Sequence, residues 1–154
     1  MAKQDKADLL AALDAFAPGI QSIALELREF VWDLYPIANE LIYDGPAALA
    51  DGFSTTDRAG DAFCSIAIYN NKRVMFGFVK GSALSDPAGL LEGEGKFWRY
   101  IPVSDIDVFP RNYAEQLLAE AYENSIRAAK KLDQAPSGQT IVKSISQKKR
   151  RPAR

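Results

Sequence analysis

Histidine is absent from the 154-residue chain, and cysteine occurs once, at position 64. Without imidazole there is no Ser-His-Asp or Cys-His nucleophile pair and no nitrogen ligand for a zinc site. Nor is there a side chain that ordinarily titrates near neutral pH. A reaction catalysed here would rest on carboxylates, lysine, tyrosine or a bound cofactor. A single cysteine forms no intramolecular disulfide, which fits a reducing compartment. Long apolar runs are missing as well. None approaches the ~18 residues of a membrane span. Asp8 and Asp14 interrupt the stretch where a secretory leader needs an unbroken apolar centre. The expectation is a cytoplasmic protein that does not engage a membrane.

Acidic residues are missing from one region only. All 20 lie before Gln134, and beyond it stand Lys143, Lys148, Lys149, Arg150, Arg151 and Arg154. The remaining 13 basic residues face those 20 acids, so residues 1–133 carry −7 and the tail +6. Such a block of like charge reads as a disordered tail, dispensable for folding. Its six cations could give salt-sensitive, sequence-blind association with nucleic acid, though "KKRRPAR" has no interleaved aromatic for base stacking.

What is present is patterned. Leu9, Leu13 and Phe16 share one face of a helix over 4–16, which Pro18-Gly19 would break. Ile20, Ile23, Leu27, Phe30, Val31 and Leu34 form a helical stripe over 20–35. The period then changes to two. Strands are expected at 40–44, near 47–51, at 61–69 and 73–80 as a hairpin turned by Asn70-Asn71, and at 97–103. Pro110 opens a last helix reaching 132, with Leu117, Leu118, Ala121 and Ile126 inward. The sum is one α+β domain over 1–133. It is a two-layer sandwich in which an antiparallel sheet of four to six strands is covered by the N- and C-terminal helices.

The candidate chemistry is sparse. Cys64 lies mid-strand and reads as a small buried hydrophobe. The segment "KGSALSDPAGLLEGEGKFWRYI" (80–101) is rich in glycine and framed by lysine. It is not a nucleotide P-loop: Leu90 holds the first glycine position, Phe97 the Ser/Thr position, and a strand comes next. A G-x-G-x-x-G reading fails at Trp98. The remaining possibility is a site for a small anion or an acidic partner. Lys80, Gly81, Ser82, Gly95, Lys96, Arg99 and Tyr100 would converge there at one end of the sheet. Against it stands the alternation of a strand, which puts Lys96, Trp98 and Tyr100 on one side and Arg99 and Ile101 on the other. Glu26, Glu29 and Asp33 recur at i, i+3 and i+7. They offer either a carboxylate surface for a hard cation such as iron or an ordinary wet helix face.

Three segments together carry a resemblance: "ELREFVWDLYPIANELIYDGPAAL", "FCSIAIYNNKRVMFGFVKGSALSDPAGLLEGEGKFWRYIPV" and the closing helix. Over about residues 20–132 the chain resembles the YdhG-like bacterial domain of unknown function. That family looks like a member of the YdhG/YjbR/CyaY-like superfamily. The resemblance implies a frataxin-like α/β sandwich. Its functional content is thin, with some members labelled iron chaperones by similarity to frataxin. No motif carries frataxin's acidic ridge residue by residue onto Glu26, Glu29 or Asp33. The sequence therefore supports a non-catalytic binding protein without a required cofactor, with an iron-binding protein and tail-mediated nucleic-acid association as alternatives.

Overall fold

The computed structural model describes residues 6–70 and 72–151. It is an α+β fold of three helices and a six-stranded mixed sheet. Helix α1 spans Ala7–Leu13 and buries Leu9 and Leu13. The expected residues 4 and 5 lie outside the described residues. Helix α2 spans Pro18–Leu34. The Pro-Gly pair that reads as a breaker is its beginning, because a proline at the first helical position has its φ already set and no N–H to satisfy. Helix α3 spans Arg111–Ala128 and buries Ala114, Leu117, Leu118 and Ala121. It stops short of 132, leaving Lys130 and Lys131 beyond its end.

Strands β1 (Asn39–Asp44), β2 (Ala48–Ser54), β3 (Ala62–Tyr69), β4 (Arg73–Phe78) and β5 (Arg99–Val103) form an antiparallel meander. Strand β2 runs three residues past the expected 51. The register makes rows across the sheet. Ile42, Asp51, Ile66, Phe76 and Ile101 stand side by side on the face beneath the helices. Leu41, Gly52, Ser65, Gly77 and Tyr100 form the next row, on the face the helices leave uncovered. Between the layers, Phe30 meets Phe76 and Phe109 edge-on, and Tyr35 meets Phe63 and Tyr122.

The sheet and the tail both depart from expectation. The sheet is mixed, because a sixth strand, β6 (Thr140–Ile145), pairs in parallel with β1. The chain after Gln134 therefore does not read as a disordered tail in the structure. β6 satisfies the open edge of β1, where unpaired backbone would otherwise stand. The basic charges that argued for disorder are used locally. Lys149 and Arg151 lie 2.9 and 2.8 Å from Asp44, and Lys143 donates to the Asp57 carbonyl. Residues 152–154 of the basic run lie outside the described residues.

Candidate functional site

The glycine-rich loop between β4 and β5 is bound mainly to itself. Ser82 donates its N–H to Phe97 O and its hydroxyl to Lys96 O. A Cβ on Gly81 would stand 2.6 Å from the Arg99 Cβ, so only glycine permits that approach. Arg99 Nη1 donates to Gly95 O at 2.6 Å and Trp98 O at 2.7 Å, so its guanidinium closes the loop. Asp86 accepts from the Tyr113 hydroxyl and from Leu90 and Leu91 N–H, and Ser85 donates to Glu120. Partial burial alone would raise the Asp86 carboxyl, but these donors outweigh it and hold it below the usual aspartate value. The loop is thereby fastened to α3.

The charged ends of the sequence-derived site go different ways. Lys80 lines a cavity of about 70 Å³ against α3 with Asp61, Asn124 and Ser125. Lys96 Nζ lies 5.3 Å from the centre of the exposed Phe97 ring. Tyr100 faces the uncovered side of the sheet, stacks on Trp98 and accepts from Arg73 at 3.2 Å. Gly81, Ser82, Gly95, Lys96 and Arg99 meet through backbone contacts, while Lys80 and Tyr100 stand apart from them.

Trp98 lies flat on Gly77, in the space a side chain there would occupy. Replacing Gly77 with alanine is expected to displace the indole and lower stability by about 1–3 kcal/mol. A shifted Trp98 indole N–H resonance, with that of Trp32 unmoved, would check it. Trp32 donates internally to Ala38 O and serves as the reference.

Glu26, Glu29 and Asp33 do share a surface. They line a shallow depression with Arg111 and Glu115 between α2 and α3. Among the described residues, however, no three His, Cys, Asp or Glu side chains form a group that could hold a metal ion. Spacing of i, i+3 and i+7 sets carboxylates in a row along a helix rather than around a point, and here a guanidinium lies beside them.

The structure reveals two features that the sequence reading missed. One is a cleft of about 540 Å³ between the start of α2, the start of β4 and the end of β5. Ile20, Ile23, Val74, Val103 and Ile106 give it apolar walls, and Lys72, Arg73 and Asp105 stand among its lining residues. Gly19 also lines it, and a Cβ there would meet nothing within 4 Å. No side chain caps the N-terminus of α2, so the N–H groups of Gly19 and Ile20 lack that partner where they border the cleft. These parts come from three distant segments, which is why no local motif announces them.

The other feature is an ionic cluster inside the core. Arg28 is 1% exposed, Glu40 0% and Asp51 3%. Arg28 Nε and Nη2 donate to Glu40 at 2.9 and 3.2 Å, and Thr140 of β6 donates to Glu40 at 2.8 Å. Neither Asp51 oxygen meets an N–H or hydroxyl donor. Burial, and then the adjacent Glu40, push the Asp51 carboxyl well above its ordinary value despite Arg28. Burial without a donor favours the protonated form of Asp51, beside a Glu40 that Arg28 and Thr140 already engage. Burial likewise pushes up the Cys64 thiol, with Asp51 adding to it, which suits an inert core residue.

No family model matches the chain, and no curated protein or solved structure matches it either. No helix among the described residues is long and apolar enough to cross a membrane.

Proposed function

We propose that this chain is a non-catalytic binding protein for a small anionic, partly apolar ligand, held in the cleft between the start of α2, the start of β4 and the end of β5. The observation that carries this reading is the cleft itself. Its volume falls in the range of small-molecule sites, its walls are aliphatic, and Lys72 offers a cation at its lining, while Arg73 is turned to Tyr100 and the Asp105 carboxylate already accepts from the Asp107 N–H. A carboxylate beside Lys72 would also face the uncapped N–H groups of Gly19 and Ile20. The site replaces the cluster inferred from Lys80, Lys96 and Arg99, whose cations have other surroundings. On the strength of residues 20–132 and the α+β architecture, we also propose that the chain is a cytoplasmic YdhG-like domain. The acids of α2 do not support an iron-binding role. Lys149, Arg151 and Lys143 are engaged within the chain, which leaves less of the tail for nucleic acid.

Benzoate and octanoate, titrated against backbone amide resonances, test this directly. Shifts are expected at Ile20, Ile23, Val103 and Ile106. Gly19→Leu should block them by filling open space, and Lys72→Ala should weaken binding about tenfold, the effect of one charge-assisted hydrogen bond. Unmoved resonances at millimolar ligand, or equal binding by both variants, would remove the cleft from consideration.

A further inference from the structure

We propose that the buried Glu40–Asp51 acid pair is a proton-operated fastener for the C-terminal strand. With one proton between the two acids, β6 stays docked on β1, and loss of that proton loosens β6 together with the adjoining segment 146–151.

The geometry sets Glu40 next to that strand, with Asp51 one strand further in. Glu40 lies on β1 and Asp51 on β2, and Thr140 reaches Glu40 from β6. Among the described residues, three charged or titratable groups act on or with Asp51. Arg28 comes from α2, Glu40 from β1 and Cys64 from β3. Strand β6 contributes the uncharged Thr140 hydroxyl. Among these groups Arg28 supplies the positive charge, and two of its nitrogens are given to Glu40. A second carboxylate would leave a net buried negative charge, which needs water or a cation.

The elements around the acids differ in exposure. On the inner side, β3 and the helices bury Ile66, Leu27 and Val31 completely or nearly so. At the sheet edge beyond β1, Val142 to Ile145 are exposed and Thr140 is half-buried. Opening β6 removes the Thr140 hydroxyl from Glu40 and bares the β1 edge, so water reaches the pair from the Glu40 side. Residues 146–151 would move with β6, because they are tied to the same edge. Ser146 N–H donates to Asp44 O, Arg150 N–H to Pro46 O, and Lys149 and Arg151 pair with Asp44.

Linkage gives the direction of the effect. The closed state holds Asp51 protonated, whereas the open state lets it ionise near its ordinary value of 3.8. Opening therefore takes up no proton and releases one. It becomes easier as pH rises above that value and levels off once the closed state also ionises.

Hydrogen exchange of the full chain, corrected for the intrinsic base-catalysed rate, tests the inference. In the wild type, opening at Thr140–Ile145 and Ser146 should rise about tenfold per pH unit, up to the pH at which Asp51 titrates. The amides of β3 should remain better protected throughout. Asp51→Asn keeps the shape and cannot ionise, so its β6 profile should be flat. Equal pH slopes in wild type and Asp51→Asn would overturn the proposal. So would β6 and β3 exchanging with one free energy, which would mean only global unfolding. Should the variant fail to fold, the side-chain carboxyl carbon resonance of wild-type Asp51 still decides. Titration at the ordinary aspartate value sinks the fastener, whereas titration at the pH where β6 opening levels off supports it.

Discussion

Deleting residues 137–154 should lower the thermal unfolding midpoint by on the order of 10 °C. The deletion removes β6 and its ladder on β1, the Thr140–Glu40 hydrogen bond and the Lys149 and Arg151 pairs with Asp44. It also removes the Gln139 N–H that binds Asn39 and the Gln139 O that binds the Glu40 N–H. Each net hydrogen bond contributes about 1 kcal/mol, and the ordering entropy of the segment offsets part of the sum. A net loss of roughly 3–5 kcal/mol corresponds to that shift for a chain of this length. The charge pattern alone argues the reverse, that the tail is dispensable. A thermal melt followed by circular dichroism separates the two. A midpoint within about 2 °C of the full chain would mean that β6 adds nothing to stability.

Arg28→Met should be the most damaging single substitution. The side chain is wholly inside, pairs with Glu40 through two nitrogens, and lies 4.7 Å from the Trp32 ring. Methionine keeps much of the volume but leaves Glu40 and Asp51 together without a cation. Removing one partner of a buried ion pair costs about 3–5 kcal/mol, because the other is stranded. A fully apolar cluster should behave differently. Arg28→Met combined with Glu40→Leu and Asp51→Leu should recover most of the loss, since no charge remains to be stranded. Denaturant unfolding of the single and triple variants gives both numbers. A triple variant no more stable than the single one would show that the cluster is worth more than its pairing.

The fold was legible wherever one face of an element is buried. The stripe of α2 and the alternation of β3 and β4 predicted the layers that the structure shows. The same periodicity marks Arg28, which falls between Ala24 and Val31 on the inward side, and it places Asp51 between Leu49 and Phe53. Charged residues at inward positions were the available signal for the core cluster. β6 was harder to see. "TIVKSI" has strand-forming residues, but its partner lies about a hundred positions away. The surrounding lysines and arginines compensate Asp44 and backbone carbonyls, which no local reading shows. The cleft is assembled from α2, the end of the β3–β4 hairpin and the residues after β5, so its parts carry no shared motif. The loop at 80–101 misled in another way. Its cations and glycines are real, but Arg99 is spent on Gly95 and Trp98 carbonyls.

The parallel pairing of β1 with β6 also sets a timetable. Glu40 and its partner Thr140 are 100 residues apart. At about 5–20 residues per second, β1 waits on the order of 5–20 s for that partner to be synthesised. During that interval a growing chain can close the β1-to-β5 meander but leaves the β1 edge bare, with two carboxyls behind it. Bare edges recruit other chains. Ribosome pausing within 40–140 would lengthen the exposure, so codon usage and chaperone capture over this stretch should govern how much soluble protein a cell obtains.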